Sequence, residues 1–219
     1  MPSQTETLRL YTGLALHHAD WSGQLLLHIG LNETGRAFAL ASLAAGAAAL
    51  FLEEDTAQLR HANREGCLTF SVTALDEALR ALKNEIRQRR AITIGLTGDS
   101  AQWLQEMVER GLLPTAITAS QQLTEAEQAS LQILQQWGAQ PLRANGLVAM
   151  NDTSQSIETQ LQAVISEDTA ITLQERRSQD EILHSQLTDD LPHSLQERWL
   201  TTAPTLFPRA LSRAYWRSL

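Results

Sequence analysis

The sequence predicts an α/β fold in which helices cover both faces of a doubly wound, mostly parallel sheet. Short runs that are apolar at every position alternate with longer segments that are apolar at helical spacing. Continuous apolar runs are typical of strands buried on both faces of a parallel sheet. Regular strand–helix alternation favours right-handed βαβ units. The length of 219 residues suffices for one large domain with an appendage.

Five apolar runs are predicted to be strands. They cover residues 24–29, 48–52, 67–72, 91–95 and 113–118, and residues 138–150 are a candidate for one more. No run reaches 18 apolar residues, so we expect no membrane-spanning helix.

Five segments between these runs carry the 3.6-residue period of helices. They cover residues 33–47, 55–64, 73–90, 99–111 and 124–137. Asp55, Thr73 and either Asp99 or Ser100 are the expected first caps, and Thr124 begins a capping box with the acid three residues later. The fourth segment ends at Gly111 and the fifth is followed by Gly138, as is usual where helices end.

The last third of the chain has a different character. We predict that residues 1–150 form the α/β domain and that residues 151–219 form a mainly helical extension packed on it, with helices at 155–164, 172–187 and 206–219. Residues 151–197 hold ten acidic residues against two arginines, whereas residues 198–219 hold four arginines and no acid. The basic, aromatic tail is expected to dock on its own domain. The alternative is a homo-oligomer or partner contact through residues 199–219.

Charge and cysteine content narrow the classes of function. A net charge of −8 argues against nucleic-acid binding. A lone cysteine, Cys67, excludes an internal disulfide and a multi-cysteine metal site. The histidines lack ligand spacing, and His28, within a predicted strand, is expected to be a hydrogen-bonded core residue, so we expect no metal. Without the pattern of a signal peptide, the cytoplasm is the expected compartment.

The turns after three predicted strands carry the candidate binding residues. Gly30 and Gly35 join the first strand to a helix whose free N–H groups suit a phosphate, as in Rossmann domains. Glu53 ends the second strand, where a ribose-binding carboxylate belongs. The full candidate set is Gly30, Asn32, Thr34, Gly35, Arg36, Glu53, Gly95, Thr97, Gly98 and Asp99. Two glycines are also what a strand-to-helix turn needs for geometry alone, and Glu33 would repel a pyrophosphate.

Five collinear motifs point to one family. The chain reads GLNETGRAF from residue 30, LEED from 52, LDEAL from 75, IGLTGD from 94 and RGLLPT from 110. In order and spacing these follow the glycine-rich turn and later segments of the NAD-binding domain of urocanases. Over residues 22–150 the chain therefore resembles that domain.

The resemblance implies NAD as cofactor and a lyase activity, the hydration of urocanate to imidazolone propionate. The departures fall on functional positions. Asn32, Glu33, Thr34 and Arg36 stand where the family has further turn residues, mostly glycine, and crowd the approach of a pyrophosphate. The active-site loop of the family is replaced by TASQQ from residue 118, and no catalytic residue carries over.

Three functions therefore remain open. The leading one is a free-standing urocanase-like Rossmann domain that lacks hydratase activity alone and binds a small anionic or nucleotide-like ligand or a protein partner. The second is an NAD-dependent hydratase component that completes its site with another chain. The third is an oligomeric scaffold with no ligand.

Overall fold

The structure, a computed structural model, describes residue 2 and residues 4–18, 20–142 and 193–207. Its strands are β1 Leu25–Ile29, β2 Ala48–Glu53, β3 Phe70–Val72, β4 Ile92–Thr97, β5 Ala116–Ala119 and β6 Gln140–Pro141. Its helices are α1 Gln4–His17, α2 Glu33–Ala45, α3 Thr56–Arg64, α4 Leu75–Gln88, α5 Ser100–Glu109, α6 Glu125–Gln136 and α7 His193–Leu206.

All six strands are parallel and form one sheet in the order β3-β4-β2-β1-β5-β6. Helices α1, α2, α3 and α7 pack on one face, around Phe38, Phe51 and Trp199. Helices α4, α5 and α6 pack on the other face, around Leu82, Leu104 and Leu134. The chain thus winds outward from β1 to β3 on the first face and returns to β6 on the second. The predicted doubly wound α/β fold is confirmed.

Helix α2 brings the first face together through small side chains. Ala37, Ala41 and Ala44 are buried, and Phe38 on the same helix is fully buried beside them. Small residues let the helix axis approach its neighbours closely, which is why the alanine-rich sequence lies at the centre of the layer. The helix ends at Gly46, whose φ of 86° is the left-handed conformation of a glycine C-cap.

Several boundaries differ from the sequence prediction for local reasons. Strand β5 begins at Ala116 and not at residue 113, since Pro114 has no N–H for the ladder. Strand β3 begins at Phe70, because only Phe70–Val72 pair with β4. Strand β4 is longer than predicted and stays paired with β2 up to Thr97. The prediction that Thr73 caps α4 is wrong: Ala74 is the N-cap, without a side-chain hydrogen bond.

Two helices were not predicted. Helix α1 buries Leu8, Tyr11 and Leu14 against the first face. Helix α7 contains Pro204, although we expected a helix to begin only after it. The proline removes the hydrogen bond to the carbonyl four residues earlier, and the helix ends two residues beyond it. The predicted helices at 155–164 and 172–187, and residues 208–219 of the predicted terminal helix, lie outside the described residues. None of the described helices is both long and apolar enough to span a bilayer.

Helix α7 docks on the domain through one aromatic and one cationic side chain. Trp199 is fully buried, with its ring centroid 5.3 Å from that of Tyr11. Arg198 donates from Nη1 to the carbonyl of Ala45 at 3.0 Å and from Nη2 to Ser22 Oγ at 3.1 Å. A guanidinium is a favourable partner for the free carbonyls at a helix C-terminus, so Arg198 ties α7 to the end of α2.

Candidate functional site

The carboxyl ends of four strands meet at one edge of the sheet. Ile29 at the end of β1 lies opposite Leu52 of β2 and Ala119 of β5, and Glu53 lies opposite Thr97 of β4. The turns that follow these strands are therefore neighbours, as the sequence predicts. The helices that follow β1 and β5 lie on opposite faces of the sheet, α2 on one and α6 on the other, so the two connections lead away from each other. Such a switch point is where open α/β sheets form their ligand crevice.

The two glycines of the first turn are required by its backbone. Gly30 has a φ of 95° and donates its N–H to the carbonyl of Leu52 at 2.9 Å. A Cβ on Gly35 would lie 2.4 Å from the carbonyl oxygen of Gly30, far inside van der Waals contact. The left-handed conformation and the close approach explain both glycines without any ligand.

Asn32 caps α2 and crosses the crevice. Its Oδ1 accepts the N–H of Gly35 at 3.0 Å, and its Nδ2 donates to the carbonyl of Ser120 at 2.5 Å. The first bond engages an N–H at the helix N-terminus, where a phosphate would bind. The second joins the β1–α2 turn to the β5–α6 loop.

The β5–α6 loop fills the space above the two glycines. Ser120 Oγ lies 2.9 Å from the position of a Cβ on Gly35, and Gln121 Oε1 lies 2.8 Å from that of a Cβ on Gly30. Ser120 Oγ is also 3.0 Å from Nε2 of His28 in β1. Side chains of this loop therefore occupy the space through which a ligand would approach the turn.

The Glu53 carboxylate accepts backbone N–H groups from two turns. The residue is buried, and Oε2 accepts the N–H of Leu31 at 2.6 Å while Oε1 accepts the N–H of Asp55 at 2.9 Å. Each oxygen thus fixes one turn at the carboxyl edge. The position is the one the sequence predicts for a ribose-binding carboxylate, and the side chain here braces two loops.

Arg36 is directed away from the crevice. Its Nη1 donates to the carbonyl of Leu31 and to Gln58 Oε1, each at 3.1 Å, and its Nε lies 3.0 Å from Glu65 Oε2. The guanidinium is largely buried in these contacts. It therefore neutralises Glu65 and not the exposed Glu33 at the start of α2.

The end of β4 and the turn after it hold three of the predicted residues, Thr97, Gly98 and Asp99. Gly98 donates its N–H to the carbonyl of Glu53, and Asp99 caps α5 by accepting the N–H groups of Ala101 and Gln102. Trp103 covers Gly98 and donates from Nε1 to the carbonyl of Thr97 at 3.2 Å.

Two other predicted residues lie apart from these contacts. Gly95 is inside β4, and a Cβ there would meet Leu59 Cδ2 at 2.4 Å, so its bareness serves packing against α3. Thr34 lies in the first turn of α2 and is half-buried.

The carboxyl edge is negatively charged. Its acidic residues are Glu33, Glu53, Glu54, Asp55, Asp99 and Glu125. Across the described ranges, none of them forms an ion pair; several accept backbone N–H groups, as Asp55 does from Ala57 and Glu54 from Ser100. A rim of unneutralised carboxylates repels a phosphate group and attracts a cation or a basic surface.

His28 is a core residue, as predicted. It is fully buried, stacks on Phe38 with a centroid distance of 4.8 Å, and contacts Phe51. Burial lowers the pKa of His28 to about 3, against the weaker effect of a hydrogen bond with the backbone of Gly30. The imidazole is neutral at physiological pH. Within the described parts of the chain, no group of His, Cys, Asp or Glu side chains could hold a metal ion.

The described residues do not fit a dinucleotide laid across the first turn. Asn32 takes an N–H at the helix N-terminus, Gln121 and Ser120 fill the approach to the glycines, and Glu53 is engaged by two backbone groups. The acidic rim adds repulsion of the phosphates. Asn32 would compete with a phosphate group for the helix N-terminus, the loop side chains would block the approach of the pyrophosphate, and Glu53 would have to leave its backbone partners to bind a ribose.

Sequence reasoning missed the role of Ser120 and Gln121. Both belong to the TASQQ segment, which the sequence marks only as a departure from the family loop. The switch-point rule could have placed that segment beside the first turn, because it follows the strand on the far side of β1. The contacts themselves need the register of β1 with β5, which no sequence pattern contains.

Comparison with protein families agrees with the observed α/β fold. A family model described as the urocanase Rossmann-like domain matches residues 4–131. The match includes α1, which precedes the resemblance seen in the motifs, and extends into α6. Residues 132–150 of the predicted resemblance lie beyond it.

Proposed function

Because the chain belongs to the urocanase family through its Rossmann-like domain, we propose that it works as a binding module and does not hydrate urocanate by itself. The observation that carries this proposal is the state of the titratable groups at the carboxyl edge. Hydration needs a group that moves a proton within a protected crevice. Here His28 is buried and neutral, Glu53 accepts the N–H groups of Leu31 and Asp55, and Asp55 and Asp99 each accept an N–H at the start of the helix that follows them.

The charge of the same edge supports a protein partner over a small anionic ligand. The rim carries unneutralised carboxylates, and Arg36, a cation adjoining it, is paired with Glu65. An anion would approach against this field, whereas a basic protein surface would not. Of the functions that the sequence leaves open, we therefore prefer the binding of a protein partner. We place the protein in the cytoplasm, a reducing compartment in which the buried thiol of Cys67 stays free.

The C-terminal residues are our candidate for the contact. Trp199 and Phe207 are buried within the domain, so the proposed contact narrows to residues 208–219. That segment holds three arginines, a tyrosine and a tryptophan, the residue types that dominate binding hot spots. The simplest partner is a second copy of the chain.

The catalytic half of the proposal is tested by following urocanate absorbance with the purified chain and added NAD. We expect no loss of urocanate, while a complete urocanase in the same cuvette consumes it. Sustained turnover by the chain alone would show that the family activity is retained and would remove this half of the proposal.

The binding half is tested by measuring mass in solution by light scattering. The full chain is expected at about twice 24.2 kDa or with a co-purified protein. The chain ending at Phe207 should be monomeric, and it keeps both buried aromatics. A full-length variant with Arg209, Arg213 and Arg217 changed to Gln is the matched control, because it removes the positive charge of the segment and keeps its length. A monomeric, partner-free full chain would contradict the proposal.

A further inference from the structure

We propose that the switch-point crevice is closed by a clasp formed from Asn32, Ser120 and Gln121, and that this clasp competes with a pyrophosphate-bearing ligand for the β1–α2 turn. The inference concerns binding only and does not depend on the proposed function. It starts from the disagreement between the family's cofactor and the side chains at the turn.

The first part of the clasp is the bridge made by Asn32. Its carboxamide accepts from Gly35 and donates to the carbonyl of Ser120, so one side chain uses both of its polar ends. A phosphate at the N-terminus of α2 would have to replace the bond to Gly35. It would thereby release the bond that holds the β5–α6 loop against the turn.

The second part is the volume taken by the loop. Ser120 Oγ and Gln121 Oε1 lie 3.0 and 2.8 Å from the position of a Cβ on Gly30. A ligand atom approaching this glycine meets the same two oxygens. Both are polar atoms with lone pairs, which repel a phosphate oxygen unless a hydroxyl or amide hydrogen turns towards it.

The third part is the anchor beneath the loop. Ser120 Oγ lies 3.0 Å from Nε2 of the buried His28, and the N–H of Ser120 donates to the carbonyl of Ile29 at 3.0 Å. Ser120 is therefore anchored to β1 by contacts that do not involve Asn32. Asn32 and Gln121 are exposed, and each can rotate away into water. The clasp thus weakens binding by competition and does not seal the turn permanently.

The experiment is a calorimetric titration with two probes, NAD and inorganic pyrophosphate. The chain is compared with the double variant Asn32→Gly/Gln121→Gly, which removes the two mobile side chains and keeps Ser120. Glycine is the mildest replacement at an N-cap, so the helix start is retained. Gln122→Gly, at the next and equally exposed loop position, is the matched control.

We expect the chain and the Gln122→Gly variant to bind pyrophosphate with Kd values weaker than about 1 mM. The double variant should bind it about five- to tenfold more tightly, the equivalent of one displaced hydrogen bond. Thermal melting should show that all three proteins are folded. Micromolar binding of NAD by the unmodified chain, or no gain of affinity in a folded double variant, would overturn the clasp. Because no urocanate is present, failure here is distinct from failure of the proposed function.

Discussion

The turns after β1 and β4 begin alike and are filled differently. Each has a glycine with positive φ, 95° at Gly30 and 129° at Gly98, followed by a side-chain cap, Asn32 or Asp99. Above Gly98 lies Trp103, which belongs to the helix that follows. Above Gly30 lie Ser120 and Gln121, which belong to the distant loop between β5 and α6.

The difference teaches how a glycine at a strand-to-helix turn should be interpreted. Glycine shows that space or an unusual φ is needed at that point, and it does not say what uses the space. At both turns, side chains of the protein itself fill that space. Glycines at such a turn are therefore weaker evidence for a ligand than the side chains around them.

The largest expected effect comes from adding one methyl group to the first turn. Gly35→Ala should lower the free energy of unfolding by about 3 kcal/mol, because its Cβ would collide with the backbone oxygen of Gly30. Gly98→Ala should also destabilise, by about 1–3 kcal/mol, through its φ and the contact with Trp103. Urea denaturation measures both values.

A second mutation at each turn sharpens this comparison. Trp103→Ala should relieve part of the effect of Gly98→Ala, since the colliding atoms belong to that side chain. Ser120→Ala should not relieve Gly35→Ala, whose closest contact is backbone. Equal relief at the two turns in these double-mutant cycles would show that they do not differ as described.

Sequence patterns predicted the elements of the fold well and their neighbours poorly. Periodicity found five strands and five helices because burial against a sheet leaves its mark on each segment. It could not place β4 between β2 and β3, since pairing depends on which strands meet after the chain has turned back. Helix α7 escaped because Pro204 suggests a boundary, and packing of Trp199 and Ala203 on the domain outweighs that local preference.

For the candidate site, the sequence likewise predicted the positions of residues but not their contacts. The positions of Gly30, Asn32, Glu53 and Asp99 at the carboxyl edge followed from strand ends alone. The partners of those side chains did not, because they come from other loops. Asn32 meets Ser120 only through the register of β1 with β5.

A dependence of stability on pH is expected from the first turn and not from the turn after β4. Two residues before Gly30 is His28, with a pKa of about 3 in the folded protein and an ordinary value of 6.5; two residues before Gly98 is Leu96. The unfolded chain gains a proton as pH falls below 6.5, whereas the folded chain does not until about pH 3. Stability from this group is therefore complete above pH 6.5 and is lost at about 1.4 kcal/mol per pH unit below it.

The His28→Gln variant tests this assignment. Its stability should fall less steeply than that of the unmodified chain between pH 6.5 and 4.5, in urea titrations at fixed salt. An unaltered slope in His28→Gln would mean that the imidazole titrates normally and is open to solvent.

The smallest effect is expected from the two caps. Asn32→Ala and Asp99→Ala should each lower the free energy of unfolding by about 1 kcal/mol, the usual value of an N-cap. Only Asn32→Ala should also loosen the β5–α6 loop, because only Asn32 reaches another loop, through Ser120. Hydrogen exchange of the Gln121 amide should therefore rise in Asn32→Ala and stay constant in Asp99→Ala. An equal change of hydrogen exchange in both variants would show that the two turns do not differ in this way.

The central claim is that the protein's own side chains use the space and the hydrogen-bonding groups of the first turn. Releasing small molecules from the purified, denatured chain and measuring NAD by absorbance and mass tests it most directly. We predict far less than one NAD per chain, because Asn32, Gln121 and Glu53 are already engaged at that turn. A yield close to one NAD per chain would contradict the account.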